Sequence, residues 1–266
     1  MSVTVIVPAR YASSRYPGKP LVPLRGATGE ARSLIRRSWE AAAAVSGVDR
    51  VIVATDDDRI AAEVSDFGGE AIMTAETCAN GTERCADALA RLGAGPDLVV
   101  NLQGDAPLTP PWFVEALIDA MRADPGIAVA TPVLRSDPDT LAALHADRRA
   151  GRVGATTAVF DAAGRALYFS KEVLPFTGRC LGPEETVPVF HHVGVYAYRP
   201  AALKAYCDWQ PGPLETWEGL EQLRFLENGV EVSCVEVEAR GAVFWELNNP
   251  SDVDRVQAAF AGRGMP

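Results

Sequence analysis

The amino-acid sequence predicts a doubly wound α/β fold, and three observations carry that prediction. In the first half, short β-branched runs alternate with segments of helical period. The runs are continuously apolar instead of alternating, as a parallel sheet covered by helices on both faces requires. Three of them, "VIVPA", "VIVATD" and "LVVNLQGD", lead straight into polar stretches. In such sheets ligands sit beyond the carboxyl ends of the strands, so those polar stretches should converge on one crevice.

Taken in order, strand-like "VTVIVPA" is followed by the loop "RYASSRYPGK" and then by a helical pattern over residues 30–44, "EARSLIRRSWEAAAA". A strand "RVIVATD", a helix "RIAAEVSDFGG", a strand "EAIMT", a helix "TERCADALARL" and a strand "DLVVNLQGD" complete the parallel half. From about residue 127 the pattern loosens. Strand-like "IAVATPVL", "ATTAVFD", "ALYFS" and "FHHVGVYAYR" are separated by turns with Gly and Pro, which predicts a mixed extension of the sheet. Two helical patterns, "PAALKAYCDW" and "PLETWEGLEQLRFLENG", precede a strand "VEVSCVEVE" and a closing helix "PSDVDRVQAAF" with Ser251 as its cap. No repeat, heptad or low-complexity linker interrupts the chain, and its 266 residues are read as one domain, 1–266.

Composition narrows the function. Asp and Glu outnumber Lys and Arg by 35 to 25, a formal net charge of -10, and the resulting field repels nucleic acid and anionic membranes. A small anion can still be held by a local cluster of cations. Five cysteines, Cys78, Cys85, Cys180, Cys207 and Cys234, form no C-x-x-C pair and are read as reduced thiols in a cytoplasmic protein. No apolar stretch approaches the roughly 20 residues that span a bilayer.

The loop after the first strand gathers Arg10, Arg15 and Lys19 in this acidic chain. A strand, a tight turn with cations and then a helix suit a triphosphate, because turn N–H groups approach phosphate oxygens while Arg and Lys neutralise them. The loop is not a Walker A motif: its only "GK" is followed by Pro20. A solvated loop with ordinary surface cations is the plainer account of the same residues. Asp105, after the buried strand in "NLQGDAP", has the hard carboxylate that would hold Mg²⁺ against phosphate oxygens, or it caps a turn.

The order of the segments "IVPARYASSRYPGKPL", "VIVATDDDRI", "GGEAIMT", "NGTERCADAL", "VVNLQGDAPL", "ALYFS", "HHVGVYAYR" and "PLETWEGLEQLRFL" resembles the CMP-KDO synthetases, the 3-deoxy-manno-octulosonate cytidylyltransferases, over nearly the whole chain. The resemblance implies the Rossmann-like, glycosyltransferase-A-like fold of nucleotide-diphospho-sugar transferases, a mixed, mainly parallel sheet flanked by helices. It also implies transfer of CMP from CTP to an acidic eight-carbon sugar, KDO, with Mg²⁺ as cofactor and pyrophosphate as co-product, for envelope polysaccharide (lipopolysaccharide) synthesis. A homodimer formed through a sugar-binding portion at about residues 127–235 is the implied assembly.

By the same resemblance Ala9, Arg10, Arg15 and Lys19 bind the nucleotide, with Arg10, Lys19 and Asp105 closest to the chemistry. Asn80, Gly81, Thr82, Glu83 and Arg84 match a stretch that meets the cytidine; read on its own, Thr82 caps the helix that follows. Gln103 matches a residue touching nucleotide or sugar, or it satisfies backbone. Lys171, His192, Tyr196, Glu221 and Gln222 fall at acceptor-contacting positions. His191 and His192 are adjacent on a strand, so only one faces the ligand. Glu221 also sits in a helix with an ordinary core face, where its charge would simply be solvated.

Three departures from the family pattern touch the site. Ala106 stands in "QGDAP" where the family has an acidic residue, and Asn248 in "WELNNP" where it has a second metal-binding Asp. Asn offers a carbonyl oxygen but no charge, and Glu246, expected on the same strand face, would compensate. Lys171 follows "YFS" where Arg is common, and Lys lacks the two-pronged match to a carboxylate. The sequence therefore leaves three readings: a KDO cytidylyltransferase, a CTP-dependent enzyme for another acid such as an amino-sugar acid or phosphonate, or a catalytically weakened nucleotide-binding paralogue.

Overall fold

The protein is described by a computed structural model, which covers residues 1–13, 15–153, 155–179, 181–182, 185–242 and 244–266. Cys180, read from the sequence as a reduced thiol, lies outside the described residues; Cys78, Cys85, Cys207 and Cys234 are free thiols.

The chain runs β1 (Val3–Ala9), β2 (Pro23–Arg25), β3 (Ala31–Ser33), α1 (Leu34–Ala43), β4 (Arg50–Thr55), α2 (Asp58–Asp66), β5 (Glu70–Met73), α3 (Gly81–Arg91) and β6 (Leu98–Leu102). Then follow α4 (Pro111–Ala123), β7 (Val129–Arg135), α5 (Pro138–Arg149), β8 (Thr156–Phe160), β9 (Ala166–Ser170), β10 (Phe190–His192) and β11 (Val195–Tyr198). The last elements are α6 (Pro200–Asp208), α7 (Pro213–Glu218), α8 (Leu223–Glu227), β12 (Val232–Val237) and α9 (Val253–Gly262).

Strands β5, β4, β1 and β6 are parallel neighbours. Beyond β6 the sheet turns mixed: β11 is antiparallel to β6 and β7, β10 joins β7 to β8, β9 closes that edge, and β12 pairs parallel with β7. The side-chain period of two sorts the core into two layers. Val5, Val7, Val53, Val100 and Ala197 face α1, α2 and α4, whereas Ile6, Ile52, Val99, Tyr196 and Tyr198 face α3, α6 and α8. This is the α/β sheet that the apolar runs predict, with the mixed extension expected after about residue 127.

Several local expectations are corrected. The helix read over 30–44 begins at Leu34, because residues 31–33 pair with β2 and Ser33 caps the helix by accepting from the Arg36 N–H. The strand read across "FHHVGVYAYR" is broken at Val193 and Gly194 into β10 and β11, and Thr131 staples the break by bonding the carbonyl oxygens of Val193 and Val195 at 3.2 and 2.8 Å. The single helix read over 213–229 is two, since Gly219 takes φ 62° and ends α7. Ser251 does not cap the last helix; a capping box between Asn249 and Asp252 starts a 3-10 turn there. Helices α4 and α5 have no counterpart in the sequence reading.

Candidate active site

The carboxyl ends of β1 and β6 and the start of α3 enclose a cleft of about 300 Å³. Backbone contact lets them approach: a Cβ on Gly104 would lie 2.5 Å from the Pro8 carbonyl oxygen, so only glycine fits between "VPA" and "QGD". The loop after β1 closes on itself through Gly18, whose φ of 72° and N–H bond to the Tyr11 carbonyl turn Lys19 inward.

Ala9, Arg10, Arg15, Lys19, Asn80, Gly81, Arg84, Gln103 and Asp105 all line this cleft, which brings together residues the sequence analysis assigned to nucleotide and metal. Lys19 Nζ donates to Asp105 Oδ2 at 2.6 Å. Arg10 and Arg15 are exposed at the mouth, and Arg15 donates to Asn248 Oδ1 at 2.9 Å. Three cations therefore gather at the cleft, two of them in contact with oxygen donors, Lys19 with Asp105 and Arg15 with Asn248.

The α3 end is built by capping. Asn80, not Thr82, is the N-cap: its Oδ1 accepts from the Glu83 N–H at 2.8 Å. Thr82 is buried and does not line the cleft; its hydroxyl meets the Tyr198 hydroxyl at 2.9 Å, and its N–H donates to Glu221 Oε2 at 3.1 Å. Arg84 lines the cleft with a guanidinium already engaged, one nitrogen on Asp56 Oδ2 at 2.7 Å and another on Thr74 Oγ1 at 2.6 Å. Asp56 is the first residue of the "DDD" stretch after β4, and its pairing with Arg84 was not foreseen. Cys78, Ala79 and Gly104 also wall the cleft, and no sequence signal distinguished them beyond adjacency to the motifs.

The residues assigned to the acceptor form a second group behind Gln103. Gln103 Nε2 donates to Glu221 Oε1 at 3.4 Å, and Tyr196 donates through its hydroxyl to Gln222 Oε1 at 3.1 Å. Burial pushes the Glu221 carboxyl up, opposed by the Thr82 N–H bond, and raises the Tyr196 hydroxyl well above its usual value. His192 is buried, bonds Thr131 Oγ1 through Nε2 at 3.0 Å and packs its ring on Phe169 and Tyr196. Burial, then the neighbouring His191, pushes its pKa down to about 3, so the ring is neutral. Of the two histidines, His191 lies on the other face of the strand and is half-buried, and burial pushes its pKa down to about 4. Lys171 lies beside the end of α7, where its Nζ would be 3.0 Å from a Cβ on Gly219.

The departure at Asn248 is resolved in part by position. Residues 244–249 form no strand, yet Leu247 N–H bonds the Asp105 carbonyl at 2.8 Å, and Asn248 Nδ2 donates to Glu246 Oε2 at 3.2 Å. Burial, then the charge of Asp105, pushes the Glu246 carboxyl up. Asp105, Glu246 and Asn248 thus converge as two carboxylates and one amide. Ala106 is buried in the turn after β6, and its N–H bonds the Gln103 carbonyl.

A family model described as cytidylyltransferase matches residues 4–233. The chain belongs to the cytidylyltransferase family. It is 46% identical over 264 residues, 99% of each chain, to a 3-deoxy-manno-octulosonate cytidylyltransferase of Maricaulis maris. It is 38% identical to a mitochondrial protein of that name from Arabidopsis thaliana, over 99% of this chain and 84% of that one. Among solved structures, a CMP:2-keto-3-deoxy-manno-octonic acid synthetase complexed with CTP superposes with a TM-score of 0.83 at 32% identity, covering 99% of this chain and 100% of that one.

Proposed function

We propose that this protein transfers CMP from CTP to the anomeric hydroxyl of KDO, releasing pyrophosphate, as a cytoplasmic step in envelope polysaccharide synthesis. The supporting observation is the meeting of the cationic loop with Asp105 across one cleft, at the carboxyl ends of β1 and β6. The names of the relatives point to the same reaction.

In this reading the acceptor oxygen attacks the α-phosphorus, a new O–P bond forms, and the bond to the β-phosphate oxygen breaks as pyrophosphate leaves. The hydroxyl proton passes to solvent or to a basic oxygen in the cleft. Arg10, Arg15 and Lys19 bind the phosphates and offset their charge, and Ala79 to Gly81 present backbone to the nucleoside. Gln103, hydrogen-bonded to Glu221, sits where nucleotide and acceptor sides meet and orients both. Lys171 answers the acceptor's carboxylate as a point charge, while neutral His192 contributes packing and hydrogen bonding instead of charge.

The donor set fits a hard divalent cation such as Mg²⁺: Asp105, Glu246 and the Asn248 carbonyl oxygen would hold it, and a buried carboxyl held up by a like charge gains from a cation. Bound there, the ion would neutralise phosphate charge. A single domain spanning 1–266 and a homodimer through the portion at 127–235 belong to the same proposal. In that portion Trp217 and Phe176 are 89% and 92% exposed, and apolar side chains so placed suit an interface; sedimentation velocity reads the assembly directly.

Pyrophosphate release from CTP and Mg²⁺, with and without KDO, tests the function, with Asp105→Ala as control. KDO-dependent release lost in the variant supports it. Release with another acidic acceptor and not with KDO changes the substrate, and CTP binding without release from any acceptor overturns the enzyme reading.

A further inference from the structure

We propose that Arg224 is a positioning residue that sets the spacing between the nucleotide loop and the acceptor side. The inference rests on the reading above for what the two sides bind. Arg224, on α8, is 2% exposed and does not line the cleft. Its Nε and one terminal nitrogen grip Glu215 on α7, at 2.6 and 2.7 Å, and its other terminal nitrogen donates to Glu83 Oε1 on α3 at 3.0 Å. Tyr206 lies under the guanidinium, 4.1 Å from its ring centroid.

Each carboxylate of this triad leads to a different half of the site. Glu83 uses its second oxygen to hold the Ala79 N–H at 2.7 Å, and its own N–H is held by Asn80, so its position fixes the turn that walls the nucleotide cleft. Glu215 shares the short α7 with Glu218, whose carboxylate accepts from Ser170 Oγ at 2.6 Å and from the Lys171 N–H at 2.9 Å. Charge-assisted bonds from Ala79 through Glu83 and Arg224 to Glu215, and from Glu218 to Lys171, are therefore joined through the backbone of α7. A second strut runs parallel to it: Asn80 donates to the Tyr206 hydroxyl at 3.0 Å, which donates to the Glu221 carbonyl at 3.1 Å.

Burying such a triad gains little over a well-packed apolar substitute. What a planar fork does supply is fixed geometry, because two parallel N–H bonds to one carboxylate leave it no freedom to rotate. In-line displacement needs that geometry, since a displacement of about 1 Å between reacting partners costs on the order of 100-fold in rate.

Glu83→Gln keeps an oxygen for the Ala79 N–H but loses the charge facing Arg224, and Arg224→Lys keeps the charge but loses the fork. In the full-length enzyme each should lower kcat by about 10- to 100-fold with KM for CTP and KDO within roughly threefold of wild type. The double variant should be no worse than the poorer single one, because both cut the same link. Ligand-free amide exchange at Lys171 should quicken in Glu83→Gln, although that residue lies on the nucleotide side. Folded variants with wild-type kcat, a change confined to KM, or unaltered exchange at Lys171 overturn the proposal. If Arg224→Lys does not fold, Glu83→Gln alone decides it. If the wild type makes no product with KDO, the functional reading fails separately, and exchange at Lys171 still tests the link.

Discussion

Replacing His192 by Gln should flatten the acid limb of the protein's stability curve. The folded ring is held neutral by burial, with its pKa pushed down from 6.5 to about 3, while an unfolded chain releases it to the ordinary value. Between those values the unfolded state binds the extra proton, so stability falls as pH falls through 6.5, the loss saturating below about 3. At about pH 4.5 the difference of two units, at 1.36 kcal/mol each, amounts to about 2.7 kcal/mol. Gln retains a donor for Thr131 but loses the packing on Phe169 and Tyr196, a cost independent of pH. The free energy of urea unfolding, measured for both proteins from about pH 8 to 4.5, isolates the histidine, because the acidic groups common to both cancel. The wild-type advantage at neutral pH should shrink by about 2.7 kcal/mol at the acid end. A constant difference across the range would mean that the folded ring takes up its proton as readily as the unfolded one, and the reasoning would fall.

Lys19→Met removes the cation that meets Asp105 at 2.6 Å and should cost about 100- to 1,000-fold in kcat/KM, as losing one preorganised charge-stabilising donor does; initial rates of pyrophosphate release check it. Asn248→Asp adds a charge beside Glu246 and Asp105, so the Mg²⁺ concentration at half-maximal rate should fall several-fold; an unchanged metal titration would place the ion elsewhere. Asp56→Asn leaves Arg84, 3% exposed, without its charged partner, and should destabilise by about 3 kcal/mol, read from the denaturant midpoint. Cys78 lines the cleft, so CTP should slow its alkylation while leaving exposed Cys207 unprotected; equal rates with and without CTP would remove the nucleotide from this wall.

The sheet and the cleft were legible because both rest on local signals. Buried parallel strands write themselves as apolar runs, and the loops at their carboxyl ends carried Arg10, Lys19, Gly81 and Asp105 to one place. Helix α4 escaped because its apolar run follows Pro110 and Pro111 with no side-chain cap before it. The break between α7 and α8 escaped because the apolar spacing continues through Gly219, and only its left-handed backbone reveals the turn. Arg84, placed by the sequence at the nucleotide, and Arg224, which the sequence does not single out, are each buried by a partner distant in sequence, Asp56 for one and Glu83 with Glu215 for the other. Such pairings depend on which elements are neighbours in the sheet, which no short window contains. Glu246, expected on a strand, reaches Asp105 from an irregular segment for the same reason.

The pairing of late strands β10 and β11 with the earlier β6 and β7 sets when the sheet can be completed. Strand β6 carries Asn101 and leads to Asp105, but its neighbour on one side is β11, a late part of the chain, and β7 likewise waits for both halves of that bent strand. An emerging chain that ends before residue 190 presents β6 with an unpaired edge, an open template for another chain. A truncation after about residue 126 would therefore be sticky instead of a free-standing nucleotide-binding half. The sheet is therefore completed from the carboxyl side, late and nonlocally, and the acceptor-side residues His192, Tyr196 and Glu221 join the nucleotide cleft only then.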